Sequence, residues 1–111
     1  GDEKTRQLVV ATGDDGCVTM QLDALESLLE TLARQTRGVK RVRVRLDLVE
    51  DKLHVSMRLD VTPECSVPDA SRWLKERARE QFMHIVGFEL GRFDLSVRGI
   101  SLDEKQKNRV E

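Results

Sequence analysis

Arginine recurs at alternate positions in "VKRVRVRL" and returns in "SMRLD", which makes Arg41, Arg43, Arg45 and Arg58 the side chains of this sequence best suited to chemistry. A guanidinium keeps its charge at any ordinary pH and binds carboxylate or phosphate through paired, charge-assisted hydrogen bonds. The chemistry on offer is capture of an anionic partner. The intervening valines and leucines make the row, before anything else, the wet side of a strand. Catalytic groups are harder to find. His54 and His84 lie far apart, and neither has a Cys, His or carboxylate at a spacing that makes a metal site. Cys17 lacks an evident base. No G-x-S-x-G or phosphate loop occurs. Gly13 and Gly16 have the spacing of a G-x-x-G clamp, but Asp14 and Asp15 between them would repel phosphate. We expect no catalytic residue, no metal and no cofactor.

The charge balance narrows the partner. Nineteen basic residues stand against 20 acidic ones, for a net charge of -1, whereas a chain that grips a phosphate backbone carries a clear basic excess. Aromatic residues make up 4% and tyrosine is absent, which removes the stacking surfaces of single-strand binders. No nucleic-acid partner is expected, and an RNA-binding domain built on the four arginines is the lesser alternative. Cys17 and Cys65 read as two reduced thiols of a cytoplasmic protein. No apolar run approaches the roughly 20 residues of a membrane span, and no signal peptide is present. The opening at Gly1, with no initiator Met, suggests a fragment of a longer protein.

These side chains need elements to hold them. At 111 residues the chain is one domain, large enough to bury roughly two-thirds of its unfolded surface. Residues 1–7 are a polar lead-in. Two short apolar pieces then flank the turn signal Gly13-Asp14-Asp15-Gly16, the second alternating as a short strand. Leu22, Leu25, Leu28, Leu29, Leu32 and Ala33 repeat at helical spacing and predict a first helix over about 22–37, with Gly38 at its cap. From Val42 to Leu48, and again from Leu53 to Val61, apolar and polar residues alternate on either side of "VEDK". This predicts a hairpin with one buried face, pairing Leu48 with Leu53, Leu46 with Val55, Val44 with Met57 and Val42 with Leu59. On the outer face Asp47 would meet His54, Arg41 would meet Asp60, and Arg43 would meet Arg58, a like-charge pair that wants an anion. Ser66, Pro68 and Asp69 mark the start of a second helix, with Ala70, Leu74, Ala78, Phe82 and Ile85 as its buried stripe and Trp73 alongside. A last strand spans about 89–100, with Gly91 at a bulge, and residues 101–111 are a polar tail.

The order β-α-β-β-α-β predicts an α+β two-layer sandwich: an antiparallel-rich sheet of three or four strands with two helices on one face. Right-handed crossovers would give a split β-α-β sheet. If the first strand is too short to sit in the centre, a three-stranded sheet remains.

The pattern "GCVTMQLDALESLLETLARQTRGVKRVRVRL", followed by "LHVSMRLDVTPECSVPDASRWLKERAREQF" and "IVGFELGRFDLSVRGI", resembles the alkaline shock protein family of Gram-positive bacteria. The matching features are Gly38-Val39 entering the hairpin, Val67-Pro68-Asp69 at a helix start, Val86-Gly87-Phe88-Glu89, and Val97-Arg98-Gly99-Ile100 at the end. The resemblance covers residues 8–100, and the strand "LVVAT" is most like that of the membrane-anchor members. Gln21 departs from the usual capping Ser, and Cys65 from a smaller or polar residue. The resemblance implies a non-enzymatic scaffold in the envelope stress response. Its cytoplasmic domain would recruit an alkaline shock family protein to the membrane, and transmembrane helices would lie outside this chain. A soluble, self-associating member of the family is the alternative. In either case Arg41, Arg43, Arg45 and Arg58 are the expected partner-binding residues.

Overall fold

The alternation of residues 39–61 does what strand geometry requires, placing valine and leucine on one side and charge on the other. The computed structural model describes residues 6–102. In it this stretch forms β3 (Val39–Val49) and β4 (Lys52–Val61), an antiparallel pair. Leu48 faces Leu53, Leu46 faces Val55, Val44 faces Met57 and Val42 faces Leu59, the register the alternation predicts. Pairing continues to Val49 and Lys52, so the expected four-residue loop closes to a two-residue turn. Glu50 and Asp51 both take positive φ, 50° and 67°, the primed turn geometry whose twist matches that of the flanking strands.

Upstream lie β1 (Gln7–Gly13), β2 (Gly16–Gln21) and helix α1 (Leu22–Arg34); downstream lie helix α2 (Val67–Ile85) and β5 (Glu89–Ile100). The main sheet runs β3-β4-β5, with β5 parallel to β4 across the α2 connection, as parallel neighbours demand a long crossover. The four-stranded split sheet does not form. β1 and β2 pair with each other as a separate two-stranded sheet around Asp14-Asp15. Closing that short loop costs little entropy, which favours this local pairing.

Both helices cover the same face of β3-β4-β5. Leu25 and Leu29 of α1 and Leu74, Ala78 and Phe82 of α2 meet Leu46, Val55, Met57 and Leu59 in one buried cluster. Each large aliphatic or aromatic side chain buried there contributes roughly 1.5–3 kcal/mol. The α2 stripe is the predicted one, except that Ile85 is only half-buried and Trp73 turns outward at 44% exposed. Leu48 faces inward yet is 42% exposed. The edge strand β3 outruns α1 there, since Glu26, early in α1, is already level with Leu46, while Leu48's partner Leu53 on the central strand stays buried.

The helix ends show what the sequence left open. Ser66 Oγ accepts from the Asp69 amide at 3.4 Å, but the Asp69 carboxylate turns to Arg72 rather than back to Ser66, so half of the capping box forms. Gln21 supplies no side-chain cap; the Leu22 amide donates instead to the Arg6 carbonyl at 2.9 Å. Helix α1 stops at Arg34, three residues sooner than expected. Gly38 nevertheless has φ +83°, and a Cβ there would come within 2.5 Å of the Cys65 backbone nitrogen. Its glycine is demanded by that chain crossing, where the Thr62 amide donates to the Gly38 carbonyl at 2.7 Å, and not by the helix. The predicted bulge is present in β5 at Gly91-Arg92, opposite His54 of β4, and a second follows at Arg98. Of the polar lead-in, Arg6 and Gln7 are structured; residues 1–5, and 103–111 of the polar tail, lie outside the described residues.

Candidate functional site

The side of β3-β4-β5 turned away from the helices carries no second layer among the described residues. Its side chains fall into cross-strand rows. Arg41, Asp60 and Gly99 form one, Arg43, Arg58 and Ser96 the next, then Arg45, Ser56 and Asp94. All four predicted arginines are exposed on this face. Arg43 and Arg58 are direct cross-strand neighbours, as expected, and like charges so placed repel.

The expected compensating pairs form in register but not in contact. No ion pair within 4.0 Å joins Arg41 to Asp60 or His54 to Asp47 among the described residues. Asp47 instead approaches Arg45 at 3.6 Å, and Arg92 closes on Asp94 at 2.8 Å. Asp60 leans across its row, with Oδ1 3.2 Å from where a Cβ on Gly99 would stand. The shortfall has a physical cause: long exposed side chains gain little from such pairing in high dielectric, and fixing them costs entropy.

The four arginines therefore divide. Arg41, Arg43 and Arg58 line one open depression, together with Arg34, Lys40 and Arg98 and the single carboxylate of Asp60. Arg45 belongs to the neighbouring depression with Ser56, Asp94 and Ser96, which Arg43 and Arg58 also border. Arg34 and Arg98 were not expected there. Arg34 looks in sequence like a cation complementing the α1 dipole, and Arg98 reaches the depression only because α2 carries the chain back to lay β5 beside β4. Lys40 adjoins the arginine row, but its 3.5 Å approach to the Ser101 hydroxyl depends on the same crossover.

A second polar cluster sits on the free edge of β3. Glu26 accepts the Leu46 amide at 2.8 Å, and Arg6 donates to the Leu46 carbonyl at 3.0 Å. The two side chains pair with each other at 2.5 Å, and Arg6 also reaches Asp23 at 2.6 Å. The hydrogen bond to Glu26 is the main reason the Arg6 guanidinium is pushed above even its ordinary pKa. An ion pair thus occupies one amide and one carbonyl of an edge strand, blocking strand addition at that point. Nothing in the sequence announces it, because Arg6 lies in a polar lead-in and Glu26 looks like an ordinary helix-surface acid.

The class these features define is an α+β domain with a helix-covered mixed sheet and an open, arginine-bearing face. No family model and no curated protein matches the chain. Solved structures do share its fold. The MamM CTD carrying three substitutions superposes with a TM-score of 0.54 at 17% identity, over 70% of this chain and 94% of that one. The copper form of the MamM CTD gives 0.55 at 15% identity, over 75% and 90%. At such identities the likeness is one of fold. Among the described residues no three His, Cys, Asp or Glu side chains gather as a metal site, and no helix is long and apolar enough to cross a membrane.

Proposed function

We propose that this domain is a non-enzymatic scaffold of the alkaline shock type. It recruits an alkaline shock family protein to the cytoplasmic face of the membrane through its open sheet face, and membrane attachment comes from a segment outside this chain. The observation that carries the proposal is the Arg43–Arg58 pair: two charges set directly across the β3-β4 ladder, with no carboxylate within 4.0 Å of either among the described residues. A partner carboxylate set between them would relieve their repulsion and form charge-assisted bonds to both. The sequence resemblance over residues 8–100 supplies the family of the partner.

Reversing both charges, as Arg43→Glu with Arg58→Glu, leaves the melting temperature unchanged and weakens capture of the alkaline shock partner in a pull-down at least tenfold. Undiminished capture would move the interface elsewhere. Binding of an arbitrary RNA oligonucleotide that is tight at low salt and falls steeply as salt rises would replace this proposal with the nucleic-acid alternative.

A further inference from the structure

The main sheet carries a mostly basic cluster at one end and an acidic turn, flanked by Lys52, at the other. At the end where β3 begins and β4 and β5 finish, Lys40, Arg41 and Arg98 surround Asp60, and Arg34 and Arg58 extend the same depression. At the other end the β3–β4 turn presents Glu50 and Asp51, neither with a cation within 4.0 Å among the described residues. Apolar exposure is sorted in the same way. Leu48 and Val49 stand exposed behind the acidic turn, at 42% and 40%, while Ile100 at the basic end is 70% exposed and lines a hollow with Lys40, Arg41 and Asp60. Each end thus offers an apolar contact beside a charge of opposite sign, on a chain whose net charge is only -1.

We propose that a second copy of this chain fits the basic end: the Glu50-Asp51 turn of one copy seats among Arg41, Arg58 and Arg98 of the next, with Leu48 against Ile100. The turn suits the role because a two-residue primed hairpin is narrow, and its positive φ values hold both carboxylates at the extreme tip of the strands. Asp14-Asp15 is a second acidic tip, but it belongs to the separate β1-β2 sheet, whereas Glu50-Asp51 lies at the opposite end of the same three strands that build the depression. A junction of tip to depression leaves one unused tip and one unused depression. Where each copy engages a different neighbour, such a head-to-tail contact propagates into an open chain or a ring. This goes beyond the scaffold function and shares Arg58 with it, so the two occupants would compete, and self-assembly is therefore tested on this chain alone, with no partner protein present.

Sedimentation of the unmodified chain tests it. The weight-average mass should rise with concentration at about 0.05 M salt and return to the monomer at about 1 M, where the screening length falls to ~3 Å. Glu50→Asn with Asp51→Gly removes the acid while supplying the residues a primed turn favours, and Arg41→Glu with Arg98→Glu spoils the depression; neither variant should assemble alone. Mixed in equal amounts, they retain one intact tip and one intact depression between them, so they should form a 1:1 complex and nothing larger. If reversal at Arg41 and Arg98 lowers the melting temperature, Arg41→Gln with Arg98→Gln replaces it in the same mixture. A monomeric parent at low salt overturns the proposal. So do variants that assemble like the parent, a mixture that fails to complement, or loss of assembly through Asp14→Asn with Asp15→Asn instead.

Discussion

The two faces of the β3-β4-β5 sheet are built from the same three strands and obey opposite rules. On the inner face Leu46, Leu53, Val55, Met57 and Leu59 are all at most 1% exposed and locked against α1 and α2. On the outer face every second residue meets water, and the arginines make almost none of the contacts that the register offers them. Inner positions are fixed by packing, where the loss of a methylene is felt. Outer positions are fixed only by the backbone beneath them, so their side chains are held in place yet free to bind. Stability and recognition are thereby separated by one residue of register.

The sharpest way to break that contrast is Leu46→Asp, which sets an unpaired carboxylate in the core. We expect a loss of more than about 4 kcal/mol, seen as a chain without cooperative unfolding by circular dichroism. Phe82→Ala tests the helical side of the same core and should cost about 3–5 kcal/mol through the cavity it leaves, read from urea midpoints. The border between the faces comes next. Glu26→Ala strands the Leu46 amide and leaves the half-buried Arg6 with only Asp23 and the Leu46 carbonyl, and a charge-assisted bond of the kind lost is worth about 1.5–3 kcal/mol. Hydrogen exchange at the Leu46 amide should accelerate in step. At the small end, Arg43→Glu on the outer face should change stability by no more than about 0.5 kcal/mol, with relief of the Arg58 repulsion favouring a slight gain.

Cys65 and Cys17 give the contrast a chemical readout. Burial pushes the Cys65 thiol above its ordinary value of 9.0, so the folded state holds this proton more tightly than the unfolded chain. The stabilisation is complete below the ordinary value and is lost as pH rises through the raised one. The unfolding free energy of the parent should therefore decline on the alkaline side, and Cys65→Ala should flatten that decline. Exposed Cys17 should be alkylated first at neutral pH, as followed by mass spectrometry.

The sequence by itself determined the hairpin, residue by residue. A period of two with a charge at every other position leaves one register that buries the valines and leucines, and that register delivers Arg41, Arg43, Arg45 and Arg58 to one open face. It also determined both helices and the buried stripe of α2, because apolar spacing and end signals act within a few turns of chain. The tertiary structure decided the rest. It paired β1 with β2 and kept them out of the main sheet, laid β5 parallel to β4 so that Arg98 joined the arginines, and brought Arg6 and Glu26 together on Leu46. Each of those outcomes joins residues through a contact between separately formed elements, and no local periodicity encodes which elements will meet.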